Sequence, residues 1–286
     1  MADITTTTAA VFLPTIWSTD VLLATEKALV AANLVRRYDY AVKARGQAIR
    51  IPSLANLSVT AKSANTDIVP QANTETSVTL NVDKWYYSAV LIEDMVTFQS
   101  NYDLRSLYAE KAGYAVAQQV DSDVLALYTG LTTTDVGAYG TDMDDAEFVG
   151  AILQLGLGDV PMENRAFIIT PYQQAAIMKI DKFVKADFLG RYQDATPVVT
   201  GPDNRHLWGD IYGIPVYVTN NVQTSAGTPT QYHNLLIHKE AFALAMQAAP
   251  RLQAQYLVLS LGWIVAVDTI YGVTTIRPTF GVECRS

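Results

Sequence analysis

The stretch at residues 103–131, DLRSLYAEKAGYAVAQQVDSDVLALYTGL, constrains this chain more than any other. It predicts one helix of about 27 residues, roughly 40 Å long at 1.5 Å per residue. Ser100 and Asp103 stand where a cap and an acidic first turn belong, and Gly130 where a helix ends. Leu104, Tyr108, Ala112, Val116, Val120, Val124, Leu127 and Leu131 recur at steps of three and four, which is one helical face. Leu107, Tyr114, Ala117, Leu125 and Tyr128 widen that face, while Arg105, Glu110, Gln118, Asp121 and Ser122 are left on the other side. Ala112, Gly113, Ala115 and Ala117 let another backbone come close. A helix longer than the usual three or four turns needs a long partner surface.

Extended segments supply that surface. Residues 78–92, VTLNVDKWYYSAVLI, predict a single long strand. Val78, Leu80, Val82, Tyr86, Val90 and Ile92 share one face, and Trp85, Tyr87, Ala89 and Leu91 the other, so its second half is expected to be covered on both sides. Before it, QAIRIP alternates and closes on Pro52. Residues 53–77 between them contain no aromatic residue and are rich in Ser, Thr, Asn and Ala. They predict a solvated excursion with modest strands at Leu57, Val59 and Ala61, and the whole reads as a hairpin arm.

Elsewhere, residues 1–14 form a Thr/Ala tail and residues 15–33 an amphipathic helix. A second helix is expected at 144–157, a buried strand within 161–170 and a short helix opened by Pro171. Residues 181–210 read as irregular. WGDIYGIPVYVTNNV predicts a strand pair with Asn220 and Asn221 as its turn. Residues 235–237 read as a strand, 239–248 as a short helix, and the tail as strands.

Charge and composition exclude several function classes. Half the residues are hydrophobic, enough for a large core, and the formal charge is −8, which argues against a dedicated nucleic-acid binder or docking on anionic membranes. Cys284 is the one cysteine, so neither an internal disulfide nor a CxxC metal framework can form. The N-terminus has no basic region followed by an apolar core, and no run approaches the ~18 apolar residues of a spanning helix. The chain is expected to be soluble and made inside the cell.

No motif demands an enzyme. GLGD at 156–159 lacks a third glycine and ends a helix, so it is no dinucleotide loop. Asp142, Asp144, Asp145 and Glu147 fail the spacing of a calcium loop and are better placed as the cap of the following helix. His233 and His238 are five apart on a strand, hence on opposite faces and not around one metal. Trp85, Tyr86 and Tyr87 could stack bases, but with one lysine nearby they read as core or interface packing. No catalytic residue, metal ligand or cofactor site is assigned.

The order of parts, PTIWS, a polar hairpin, a long strand into a helix ending AVAQQVDSDVLAL, then VPMENRAFIITP and GDIYGIPVYVTNNV, resembles the major capsid protein of tailed double-stranded-DNA bacteriophages. The likeness spans about residues 12–282. It implies an α+β capsid fold: an N-terminal arm and helix (1–43), an extended hairpin loop (44–88), a peripheral domain (89–157 and 240–272) with a spine helix at 103–130, and an axial domain (158–239 and 273–286). It also implies self-assembly through hexamers and pentamers into an icosahedral head around double-stranded DNA. A portal protein is an implied partner, and a separate scaffolding protein is expected because the arm begins within fourteen residues of Met1. The location would be the virion, assembled in the host cytoplasm. Trp17, Leu57, Val59, Lys62, Ile68 and Val69 are the candidate intersubunit contacts. Lys62 is the only lysine of the excursion, but no asparagine partner for a cross-link can be picked. Two alternatives remain: a cellular nanocompartment shell with the same fold, and a soluble hydrolase or binding domain.

Overall fold

The computed structural model describes residues 30–42, 46–54, 57–65, 67–68, 70, 75–95, 104–180, 207–227 and 230–286. In chain order the first elements are helix α1 (Ala31–Leu34), strand β1 (Arg36–Arg37), helix α2 (Asp39–Val42) and strands β2 (Ala48–Ser53), β3 (Thr76–Asn81) and β4 (Lys84–Glu93). Helix α3 (Leu104–Leu125) runs into a 3-10 turn at Ala126–Gly130, followed by β5 (Val136–Gly137), α4 (Asp145–Leu157), β6 (Arg165–Ile169) and α5 (Pro171–Ile177). The remainder is strand: β7 (Leu207–Ile211), β8 (Ile214–Val218), β9 (Thr224–Ser225), β10 (Gln231–His238), β11 (Phe242–Leu257), β12 (Gly262–Thr275) and β13 (Gly281–Arg285).

The described strands form three sheets. One has the order β1-β11-β12-β4, the second β5-β13-β10-β6-β8-β7 with β9 beside β10, and the third is the antiparallel hairpin β2-β3. The main core lies between the second sheet, α4 and the C-terminal half of α3; it contains Phe148, Phe167, Ile168, Leu236 and Val124. Phe148 and Phe167 meet edge to face at 5.3 Å, a favoured aromatic arrangement. A second cluster joins Ala109, Ala112 and Val116 of α3 to Ile92, Leu252, Val265 and Val267 of the first sheet.

The predicted long helix is present, ending in its tighter 3-10 turn at the predicted glycine. Its expected caps, Ser100 and Asp103, lie outside the described residues. The buried stripe is narrower than the sequence suggests. Ala109, Ala112, Val116, Ala117, Val120, Val124 and Leu125 are buried, but Leu107, Tyr108 and Tyr114 stay exposed. Small side chains bring the helix onto the sheet along one line, and the bulky residues beside that line stay outside the contact. Asp121, expected on the wet side, is fully buried: its Oδ1 accepts the Val30 and Ala31 backbone N–H at 3.1 and 2.6 Å. It therefore satisfies donors at the start of α1 that would otherwise be orphaned.

Four other expectations are corrected. The predicted strand at 78–92 is two strands, because the chain changes sheets at Val82–Asp83: β3 pairs β2, whereas β4 pairs β12. The crossing is close, and a Cβ on Gly272 would collide with the Asn81 carbonyl. From Phe242 onward the segment 239–248 is strand, not helix, and it is preceded by a turn at 239–240. Alanine-rich AFALAM has good helix propensity, yet Phe242, Leu244 and Met246 enter one core while Ala243 and Ala245 enter another, which is a period of two. The turn of the β7-β8 pair is Tyr212–Gly213, both with positive φ (53° and 77°), as a tight hairpin requires. Asn220 and Asn221 follow β8 instead, and Asn221 Nδ2 donates to Asp121 Oδ2 at 3.3 Å. Finally, no strand forms at Leu57, Val59 and Ala61. The acidic cluster does cap α4: Asp144 and Glu147 exchange hydrogen bonds with each other's backbone in a capping box.

Candidate assembly surfaces

The hairpin arm starts from a packed root. Leu80 and Val82 are buried with Tyr38, Val42, Ala243 and Ala245, and Ile49 and Ile51 rest against them. Beyond Ser53 that support ends. Leu54, Leu57, Val59 and Ile68 are 73%, 75%, 101% and 74% exposed, so the arm offers apolar side chains that its own chain does not cover. Lys62 lies exposed among them. Of the six predicted contact residues, Leu57, Val59, Lys62 and Ile68 thus fall on one exposed segment. Trp17 and Val69 lie outside the described residues.

A second surface is the outer face of the first sheet, which the sequence reading expected to be covered. The inner side chains of β4, Val90 and Ile92, lie against α3. Trp85, Tyr87 and Leu91 point the other way and are 67%, 75% and 43% exposed. Trp85 is held in place: its Nε1 donates to Asp268 Oδ2 at 3.1 Å, and Arg251 grips the same carboxylate through Nε and Nη2 at 2.8 and 2.7 Å. The Arg251 hydrogen bond holds the Asp268 carboxyl below its ordinary range. An aromatic face held by a bidentate ion pair is organised before any partner arrives. The third surface is the β11-β12 turn, where Val258, Leu259 and Leu261 are 73%, 102% and 64% exposed. Sequence reasoning left the aromatic face open between core and interface packing and missed the β11-β12 turn, for which the run VLSL at 258–261 was the available signal.

A buried polar cluster locks the C-terminal strand into the second sheet. His233 Nδ1 lies 2.6 Å from Glu283 Oε1, and His233 Nε2 lies 2.8 Å from Ser225 Oγ. Tyr139 OH donates to Glu283 at 3.0 Å, while Arg285 bridges Glu283 and Asp135. Burial alone would push the Glu283 carboxyl up, but His233, Arg285 and Tyr139 together hold it below its ordinary value. The Ser-His-Glu order superficially suggests a nucleophile relay. Here the imidazole is buried, stacked on Tyr128 at 4.2 Å and met edge-on by Tyr139, and the Ser225 hydroxyl is bonded to Gln231. The cluster therefore ties β13 to β10 and β9. Cys284 beside it is buried, and burial pushes its thiol up to about 12. Among the described residues no group of three or more His, Cys, Asp or Glu could hold a metal. No helix among them is long and apolar enough to cross a membrane.

No protein-family model matches the sequence, and no curated protein matches it. Solved structures do. A structure from Mycobacterium phage Che8 is 23% identical with a TM-score of 0.73 over 90% of each chain. The capsid structure of cyanophage P-SCSP1u is 18% identical with a TM-score of 0.69, covering 90% of this chain and 88% of its own. A virus-like particle from Pyrococcus furiosus is 12% identical with a TM-score of 0.61, covering 96% and 99%. The likeness covers 90% or more of the chain and not one shared motif. The chain has the fold of tailed-phage capsid proteins, the resemblance to which its sequence motifs point.

Proposed function

We propose that this chain is a major capsid protein, which closes through hexamers and pentamers into an icosahedral phage head enclosing double-stranded DNA. The observation that carries the reading is the likeness, over 90% of the chain, to phage capsid structures, joined to three apolar surfaces that stay exposed on the subunit. Shell subunits spread contacts over several interfaces of about 1,600 Å² each. The hairpin at 44–88 is the extended loop laid over a neighbour, with Leu57, Val59, Lys62 and Ile68 in that contact. Residues 1–43 form the N-terminal arm and helix, in which Trp17 fills a neighbour's groove; Val69 belongs with the loop contacts. Segments 89–157 and 240–272 make the peripheral domain with α3 as its spine, and 158–239 and 273–286 the axial domain. A separate scaffolding protein and a portal protein are its partners, and its place is the virion after assembly in the host cytoplasm. DNA is enclosed without sequence-specific contact, since a chain at −8 supplies few phosphate contacts.

The likeness to a virus-like particle over 96% of the chain favours one second reading, a cellular nanocompartment shell. Electron microscopy of the purified protein, expressed with and without candidate scaffolding proteins, tests both. Closed shells support the fold-level reading, and DNA-filled heads in infected cells select the capsid. Sedimentation as monomer or dimer under every scaffold and salt condition overturns both.

A further inference from the structure

Beside the root of the arm, where β1 runs parallel to the start of β11, lies a cavity of ≈ 470 Å³. It is lined by Asn33, Arg36, Arg37, Asn164, Lys239 and Glu240, with His238 and Val35 behind them. Its charge is opposite to that of the chain. Arg36, Arg37 and Lys239 line it with one carboxylate, Glu240, and Arg277 and Asp39 pair with these from outside the lining, in a protein whose formal charge is −8. The two carboxylates are already engaged. Glu240 is held from both sides, by Arg36 at 2.6 Å and Arg277 at 3.6 Å, and Asp39 takes Arg37 at 2.9 Å and the Met246 backbone N–H at 2.8 Å. These pairs fix the guanidinium forks without using all five donors of each. Lys239 is exposed, and its ammonium has no ion-pair partner among the described residues.

Two neighbours narrow the ligand class. His238 adds no further charge: burial, with Arg165 and Arg277 nearby, holds its imidazolium below the ordinary range, and its Nδ1 accepts the Glu240 backbone N–H at 3.2 Å. Asn164 sits in the left-handed region (φ 56°), where its backbone carbonyl accepts the Lys239 N–H at 3.0 Å. Forks, an ammonium and the Asn164 side-chain amide are a donor set for a phosphate, which bidentate guanidinium geometry suits. Four cations against two carboxylates leave two positive charges, which a phosphate dianion neutralises and a single carboxylate does not.

We propose that this cavity binds a phosphate-bearing anion, whether free phosphate and polyphosphate or one phosphate of a nucleic-acid backbone. The site belongs to the single subunit and stands whether or not the protein forms a shell.

The test is titration calorimetry of the full-length unassembled chain with sodium phosphate, tripolyphosphate, a 30-base-pair duplex and sodium acetate, all at matched ionic strength. Saturable binding of phosphate or tripolyphosphate, weakened at least about tenfold by Lys239→Gln, supports the site. Lys239 carries no side-chain ion pair, so that variant leaves the fold intact, as its melting temperature will show; Lys111→Gln, exposed on α3, is the remote control. Arg37→Lys, which keeps the charge and loses the fork, should weaken binding less than Arg37→Gln. Duplex bound tighter than tripolyphosphate assigns the backbone as the source; tripolyphosphate bound tighter assigns the free anion. Acetate bound as well as phosphate, equal affinity in Lys239→Gln and the parent, or no saturable heat with any phosphate ligand overturns the proposal.

Discussion

The hairpin β2-β3 and the strand β10 are both extended, both hydrogen-bonded in antiparallel ladders, and opposite in how their side chains are used. From His233 to His238 every residue of β10 is buried, because α3 and α4 cover its sheet. In β2 four of six residues are exposed, and past Ser53 the described apolar residues of the arm stand in water. Backbone pairing alone therefore does not decide which part of this chain stabilises the subunit. Burial by other parts of the same chain does. The described apolar residues of the arm beyond Ser53 are left exposed, whereas its root, Leu80 and Val82 with Ile49 and Ile51 against them, is tied into a core.

The largest expected effect lies on the covered side. Val120 is 1% exposed at the centre of the α3 stripe, and Val120→Asp would bury a carboxylate with no partner, costing several kcal/mol out of the 5–15 a domain usually has. Insoluble or denatured protein is expected in circular dichroism; a native-like melting curve would break the stripe assignment. Phe167→Ala in β6 follows, at about 3–5 kcal/mol for a large aromatic removed from a closed core, read by urea denaturation. Next is Asp121→Ala, which leaves the Val30 and Ala31 amides without their acceptor, at about 1–3 kcal/mol per donor.

Glu283 gives a pH test of the polar cluster. Its carboxyl lies below its ordinary value of 4.5 in the folded chain, so its stabilising contribution is complete above that pH. That contribution is lost as pH falls below 4.5 through the lowered folded value. The stability gap between the parent and Glu283→Gln should therefore be constant near neutrality and close on acidification. A gap that widens toward acid would contradict the assigned direction. The smallest effect belongs to the arm: Leu57→Ser with Val59→Ser should change subunit stability by no more than about 0.5 kcal/mol, yet reduce the yield of particles in sedimentation. A loss of several kcal/mol in the free subunit would erase the distinction between the two regions.

The same distinction explains what could be read in advance. Helix α3, the capped helix α4 and the buried strand β6 announce themselves through local periodicity and caps, since their partners are their own neighbours in pattern. The hairpin was legible from its polar, aromatic-free composition. The strand at 242–257 was not, because AFALAM fits either period and only the two cores on its faces select strand. Asp121 reads as a solvated charge until the chain from Val30 folds back over it. Trp85 and Tyr87 read as either core or interface, because nothing in a sequence separates a face covered by the same chain from one left open. Long-range packing carries that information.

The central claim, that the arm is completed by a neighbouring subunit, is tested most directly by limited trypsin digestion at Lys62, followed by mass spectrometry in free subunits and in assembled particles. Lys62 is exposed in the subunit, so early cleavage is expected there. Assembly should slow that cut at least about tenfold, equivalent to ~1.4 kcal/mol of added protection if cleavage follows the open population. Equal cutting rates in subunits and particles would show that the arm is a free surface loop and contradict the account.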